Sequence, residues 1–224
     1  MNVLVFVAWR IPPLYRFMNI YFVQVPGFPK AVTAVTSVFS HQEIKHLLTN
    51  MVVLGLAGPQ RKCFSFSLVF TSNAVTVHEQ LGRGQFLALY FTSGIAGTLL
   101  SLTWFTMTRN LATLTLGASG AVNGVLSACV LIGHIPALDF IRPANERINL
   151  PILNVEVATT AVIMWPLLIA IELWSLKRGV VGGIDYMSHF GGYAVGTVAG
   201  IAWLKDRQRA RMQRGRRDIK AEQL

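Results

Sequence analysis

Long apolar stretches alternate with short polar ones along most of the 224-residue chain. A helix needs about 20 predominantly apolar residues to cross a bilayer. Five stretches approach or exceed that length, and each predicts a membrane helix: 36–58, 85–107, 117–135, 152–176 and 184–204. An earlier stretch, 2–9, is shorter and predicts the end of a spanning helix whose beginning is missing. The pattern therefore predicts an all-α, polytopic membrane protein with six helices, the first of them truncated.

The polar stretches between these helices predict loops. Residues 10–30 contain four prolines and several aromatic residues, a mixture that interrupts regular helix and favours the membrane interface. This stretch predicts a loop packed at the membrane surface. Residues 59–77 predict an atypical loop insertion, for which translated intron sequence is the alternative interpretation. Residues 1–204 are then one membrane domain, and 205–224 a basic polar tail.

Composition and charge support a membrane protein. Hydrophobic residues make up 53% of the chain, charged residues 13%, and the mean hydropathy is +0.49, more apolar than a soluble domain of this size needs. Eight of the 20 Lys and Arg residues lie between Lys205 and Lys220. A basic cluster directly after the last apolar segment predicts contact with anionic lipid and not with nucleic acid.

Three short motifs in different apolar segments carry the candidate chemistry. Ser119 stands between small residues, His46 and Asn50 lie four residues apart, and His189 precedes a glycine run. A serine hydroxyl needs an adjacent base to act as a nucleophile, and imidazole, which titrates near pH 6.5, is a suitable one. His46 and Asn50 share a helix face, so both could donate hydrogen bonds to a developing oxyanion.

Glycines accompany both members of this candidate pair. Gly117 and Gly120 flank the serine, and Gly192 and Gly196 follow the histidine. Small residues at four-residue spacing let two helix backbones approach closely. Such close packing is required if the serine and histidine side chains are to meet.

The sequence predicts a Ser–His dyad and not a triad, because no carboxylate occupies an obvious third position. No metal or organic cofactor is expected. Asp185, one turn before His189, is interpreted as a solvated charge at the membrane edge. The other titratable groups of the apolar segments are interpreted as structural: His41, His78, His134, Glu156 and Glu172.

These motifs resemble the rhomboid family of intramembrane serine proteases, and its mitochondrial branch most closely. The serine box at 117–121 is the most specific part, followed by 39–41 leading into 46–51, and by the glycine-rich helix that carries His189. The run 8–13 is similar to fungal mitochondrial members. Together the motifs cover about residues 2–203 apart from the insertion.

The resemblance implies an intramembrane serine endopeptidase. Ser119 would be the nucleophile, His189 the base, and His46 and Asn50 the groups that stabilise the oxyanion. Substrates would be single-spanning membrane proteins cut in or near their transmembrane helix, in the course of mitochondrial protein processing. Many rhomboids place a tyrosine four residues after the serine, stacked on the histidine; this chain has Asn123 there.

The resemblance also implies a location in the mitochondrial inner membrane, which rests on the family alone because the first residues show no presequence. Three alternatives remain open. The chain could be a catalytically silent rhomboid-like protein that binds membrane helices, a truncated inactive product, or a small transporter or channel. Intact Ser119 and His189 argue against the silent protein, and the absence of an inverted repeat argues against a transporter.

Overall fold

The computed structural model of the chain describes residues 1–57, 77–132, 147–152, 155–178 and 184–222. The described part is almost entirely helical, as the sequence predicts. Its α-helices are α1 Asn2–Ala8, α2 Tyr15–Tyr21, α3 Thr33–Thr36, α4 Ile44–Ala57, α5 Val77–Leu81, α6 Arg83–Met107, α7 Ser119–Ile132, α8 Thr159–Arg178 and α9 Tyr186–Glu222. Short 3-10 helices cover Pro12–Leu14 and Ser37–Phe39, and strands β1 Arg147–Leu150 and β2 Val155–Ala158 form an antiparallel hairpin.

Helix α7 is the centre of the bundle. It packs against α6 and α9, with α4 and α8 against its remaining sides. Its side chains are buried along nearly its whole length, and Val122 and Val125 join Leu89 of α6 in the main apolar cluster. A helix that is apolar on all faces is stable only when neighbours cover it. The serine at its first residue is therefore anchored in the best-packed part of the molecule.

The described helices include both a full-length membrane span and shorter apolar helices. Among the described residues, α6 is the helix long and apolar enough to span a bilayer. The apolar helices Ile44–Gly55 and α7 are shorter. The predicted segments 85–107 and 117–135 correspond to α6 and α7, although 133–135 lie outside the described residues.

The N-terminal region contains more helix than predicted. Residues 10–30 are not one loop, because Pro12 and Pro13 open a 3-10 helix that leads into α2. Proline fits the first turn of a helix, where its missing N–H is not needed. The predicted helix at 36–58 is also divided: Ser40 has an extended backbone, and α4 begins only at Ile44. The indole N–H of Trp9 donates to Ser40 Oγ at 2.8 Å and holds this break in place.

The predicted helix at 152–176 begins too early. Residues Val155 and Val157 are buried while Glu156 is exposed, which is the two-residue period of a strand. They form β2, which pairs with β1 and packs against Val130 and Leu204. Helix α8 starts only at Thr159. The segment is apolar, as predicted, but its first residues have the period of a strand.

The last helix extends far beyond the predicted end at residue 204. Helix α9 has 37 residues and continues without a break to Glu222, so most of the basic tail is helical. The predicted insertion at 59–77 lies outside the described residues except for Val77, the first residue of α5. His134 lies outside them as well.

Candidate active site

The backbones of α7 and α9 touch at the glycines next to Ser119 and His189. A Cβ atom built on Gly192 would overlap the carbonyl oxygen of Gly120, and one built on Gly196 would overlap that of Gly124. No residue larger than glycine fits there unless the helices separate. Gly120 follows the serine directly and Gly192 follows the histidine by less than one turn, so the contact brings both residues to the same end of the bundle.

Helix α6 completes this close packing. A Cβ atom on Gly191 would lie 2.7 Å from the carbonyl oxygen of Ala96, and one on Gly97 would lie 2.6 Å from that of Ser188. The first turn of α9 is therefore enclosed by α6 and α7. In the part of the chain that the structure describes, no hydrogen bond joins Ser119 to His189. In free enzymes such bonds are often long and form fully only with substrate bound.

The serine box turns sharply onto the ring of His46. Gly117 has φ +131°, and a Cβ atom there would lie 2.6 Å from Cε1 of His46. The residue must be glycine both for its backbone angle and for the ring that lies on it. Electrostatic interaction also links His46 with His189. Three of the predicted site residues, Ser119, His46 and His189, thus come from α7, α4 and α9 to one place.

Asn50 is buried and hydrogen bonded in this structure. Its Nδ2 donates to the His46 carbonyl oxygen at 3.1 Å and lies 3.1 Å from Nε2 of His41. The same His41 nitrogen accepts from the backbone N–H of Ala118 at 3.4 Å. Asn50 therefore reaches the serine box through His41, and its amide is held there before any substrate binds.

His41 lies beside the predicted site residues, although its sequence context predicts a structural histidine. Its side chain is fully buried and its ring lies 5.0 Å from that of His46. Burial, together with the nearby His46, lowers the pKa of His41 to about 4, so the ring is neutral at pH 7 and can accept hydrogen bonds. Its position next to Ser40 and five residues before His46 is the feature of the sequence that could have indicated this role.

A carboxylate accompanies His189, contrary to the prediction of a dyad without one. Oε1 of Glu172, on α8, lies 3.0 Å from Nδ1 of His189. The ring of Tyr186 meets the His189 ring edge-on, with centroids 6.0 Å apart. Glu172 was interpreted as a structural charge of α8. Ionisable residues within membrane segments are most often functional. This rule could have identified Glu172 from the sequence.

Asp185 is also placed differently from the prediction. It is not a solvated end charge: one of its carboxylate oxygens accepts from the Ser101 hydroxyl, and the other accepts from the Ser188 backbone N–H at 3.1 Å. The second contact caps the first turn of α9. Asp185 thus fixes the start of the helix that carries His189.

Comparison with known proteins identifies the family of this fold. The model of the Rhomboid domain matches residues 29–206, which include every residue of the site described above. The chain belongs to the rhomboid family. It is 33% identical over 216 residues to Rhomboid protein 1, mitochondrial, of Saccharomyces cerevisiae, covering 94% of this chain and 54% of that protein.

Further relatives also belong to the mitochondrial branch of the rhomboid family. It is 36% identical over 129 residues to Presenilin-associated rhomboid-like protein A, mitochondrial, of Danio rerio, covering 57% of this chain and 29% of that protein. The human Presenilin-associated rhomboid-like protein, mitochondrial, matches at 36% over 128 residues, 57% of this chain and 29% of that protein. The chain thus spans about half of the yeast relative and less of the vertebrate ones. The names of these relatives place them in mitochondria.

Proposed function

We propose that this rhomboid is an intramembrane serine endopeptidase in which Ser119 is the nucleophile and His189 the general base. The observation that carries the proposal is the contact of α7 and α9 at Gly120 and Gly192. Helix packing alone does not explain why the contacting glycines lie next to a serine on one helix and within one turn of a histidine on the other. A hydrolytic pair does, because its two side chains must come within hydrogen-bond reach.

The reaction follows from these groups. Ser119 Oγ attacks the carbonyl carbon of the scissile bond while its proton passes to a nitrogen of His189. The carbon–nitrogen bond of the substrate then breaks, and the histidine returns that proton to the leaving amine. Water then attacks the acyl carbon while His189 takes one of its protons. The bond from that carbon to Ser119 Oγ breaks, His189 returns the proton to Oγ, and the carboxyl product leaves. No external oxidant or cofactor enters this sequence.

The oxyanion formed during attack has donors nearby. Ser119 is the first residue of α7, where free backbone N–H groups and the positive end of the helix dipole favour negative charge. His46 contacts Gly117, two residues before the serine. The amide of Asn50 reaches the same box through His41. We assign His46 to oxyanion stabilisation on this basis. We assign Asn50 the same role, which requires the oxyanion to replace one of the two hydrogen bonds that its amide makes in this structure.

Substrates of such a site are transmembrane helices. A helix within the bilayer hides its own amides, so the protease must first unwind it. Helices with Gly, Pro or polar residues near the cut are therefore preferred, because they unwind at lower cost. Single-spanning proteins of the same membrane fit this description.

The test is cleavage of a model transmembrane substrate carrying Gly–Pro near its centre by the purified protein in detergent micelles. Ser119→Ala and His189→Ala are compared with the parent, and Ser175→Ala on α8 serves as the matched serine control. We expect the parent and Ser175→Ala to cleave and the two site variants to lose at least about 10⁴-fold in kcat. Equal cleavage by the parent and Ser119→Ala would show that another group is the nucleophile.

A folded parent that binds the substrate but does not cleave it would instead favour the non-proteolytic role in which the protein holds membrane helices. Labelling of Ser119 by a fluorophosphonate probe separates that outcome from an unsuitable substrate. A reactive serine without cleavage points to the substrate, whereas an unreactive serine contradicts the proposal.

A further inference from the structure

The ring of His189 is held by a carboxylate that comes from a different helix. His189 Nδ1 lies 3.0 Å from Glu172 Oε1, and the two side chains are only 13% and 15% exposed. An ionised carboxylate accepts hydrogen bonds and does not donate them. Nδ1 must therefore carry the hydrogen in this contact, which leaves Nε2 of the neutral ring as the nitrogen able to accept a proton.

We propose that Glu172 is a positioning residue for His189, fixing the tautomer and orientation of the base so that this chain uses a Ser119–His189–Glu172 arrangement. The inference rests on the proposed function. During attack the proton of Ser119 moves to Nε2 of His189 and later to the leaving amine. Nδ1 keeps its own hydrogen throughout, and Glu172 accepts a hydrogen bond without taking up a proton.

Glu172 is itself fixed by its neighbours. Tyr193, which is 3% exposed, interacts electrostatically with the Glu172 carboxylate. Two turns earlier on α8, the indole N–H of Trp165 lies 3.0 Å from the hydroxyls of both Ser127 and Thr197. These contacts tie α8 to α7 and α9 along one helix face. A side chain held in this way can orient its partner, because little of its own freedom is left to lose.

The contact with Glu172 supports His189 in a chain that lacks the tyrosine found beside this histidine in many rhomboids. The position four residues after Ser119 is Asn123, not the tyrosine that many rhomboids stack on the histidine. Here Tyr186, three residues before His189 on its own helix, meets the ring edge-on, and Glu172 holds it from α8. The two contacts restrict both the rotation and the tautomer of the imidazole.

Other titratable groups also face His189 and must stay constant in a test. They are His46 from α4, Asp185 just before α9, and Tyr186 on α9. None of them is altered by a substitution at Glu172. A change in the pH profile that is confined to Glu172 variants therefore reports the missing carboxylate.

The kinetic test compares Glu172→Gln, Glu172→Asp and Tyr193→Phe with the parent in the full chain, using Glu156→Gln on the exposed face of β2 as the matched control. We expect Glu172→Gln to lower kcat at least about tenfold with KM nearly unchanged; neutralising the carboxylate partner of a catalytic histidine can cost about 10⁴-fold. The acidic limb of its kcat/KM profile should move to lower pH, because the negative charge that favours the protonated ring is gone. Glu172→Asp should recover part of the rate, and Tyr193→Phe should lose several-fold.

A purely structural role for Glu172 gives a different result. It would lower the amount of folded protein without moving the pH profile, and Glu172→Asp would give no selective rescue of kcat. Unchanged kcat and pH profile in folded Glu172→Gln would overturn the inference.

A second measurement does not depend on cleavage. Nitrogen-15 NMR of labelled imidazole in the full protein reports which ring nitrogen carries the hydrogen, with His189→Gln used for assignment. We expect the Nδ1–H form in the parent and a mixture of tautomers in Glu172→Gln. A parent with its hydrogen on Nε2 would overturn the inference even if cleavage is normal. An inactive parent that shows the expected tautomers would support the positioning and contradict hydrolysis instead.

Discussion

At the residue scale, His41 shows how a buried neutral histidine contributes to the site. Its Nε2 accepts hydrogen bonds from the side chain of Asn50 and the backbone of Ala118. Protonation would turn that acceptor into a donor facing two other donors. The ring therefore serves the site only in its neutral form, which its burial maintains.

This gives a prediction about stability and pH. Because the pKa of His41 is about 4 in the folded chain and about 6.5 when unfolded, the unfolded chain takes up this proton first as the pH falls. The stabilisation is complete above pH 6.5 and is lost progressively towards pH 4. Between pH 7.5 and pH 5 we expect the parent to lose about 2 kcal/mol from this group, measured by thermal unfolding in detergent.

The control for this prediction is His41→Gln, which keeps an acceptor but cannot titrate. His41→Gln should be less stable than the parent at pH 7.5 but should lose less stability when the pH is lowered. His78→Gln on α5 should lose as much stability as the parent. Equal acid sensitivity in His41→Gln and the parent would show that another group is responsible.

At the scale of elements, the contact between α7 and α9 determines the geometry of the site. The two helices meet backbone to backbone at the glycines, and α6 closes on the same turn of α9. Small displacements of α9 relative to α7 move His189 relative to Ser119 directly. A displacement of 1 Å at a reacting group is enough to reduce a rate about 100-fold.

We therefore expect Gly192→Ala to reduce both stability and activity. The added methyl group would overlap the Gly120 carbonyl oxygen, and overpacking of this kind typically costs about 1–3 kcal/mol. Cleavage should fall by about 100-fold or more. Unfolding in detergent and the cleavage assay are the measurements.

Gly215→Ala is the matched control, because Gly215 lies on the same helix with open space around it. It should keep full activity and gain up to about 1 kcal/mol of helix stability. If both variants behave alike, helix propensity and not the close contact determines the effect.

The sequence contained enough to predict the helices and their close contact, but not the hairpin or the support of the base. Apolar lengths predict α6 and α7, and the spacing of Gly120, Gly192 and Gly196 predicts backbone contact between two helices. The strand Val155–Ala158 was missed because a short apolar run fits a strand or a helix equally well until its period is examined. Contacts made across elements have no local signature, and Glu172 meets His189 only once α8 is packed.

At the scale of the whole molecule, the charge is concentrated at one end. Helix α9 carries eight basic residues between Lys205 and Lys220, and those from Arg209 to Arg217 are exposed. Basic side chains near an anionic membrane surface contribute about 1 kcal/mol each. We infer that this part of α9 binds anionic lipid.

The corresponding prediction concerns lipid composition. Replacing four exposed arginines of α9 by glutamine should remove the thermal stabilisation that the parent shows in anionic nanodiscs relative to zwitterionic ones. The effect in the parent should weaken at high salt, because salt screens exposed charges. A variant with the same four positions changed to lysine keeps the charge and should behave like the parent. The four positions are Arg209, Arg211, Arg214 and Arg216.

The unbroken course of α9 has a mechanical consequence. Its 37 residues extend about 55 Å at about 1.5 Å per residue, well beyond the roughly 30 Å of a bilayer core. Its first half, from Ser188 to Leu204, is packed against α6 and α7, and the basic half extends beyond them. Both halves belong to one continuous helix, so we expect a force on the basic half, such as a change in surface charge or membrane thickness, to be transmitted along the helix axis towards His189.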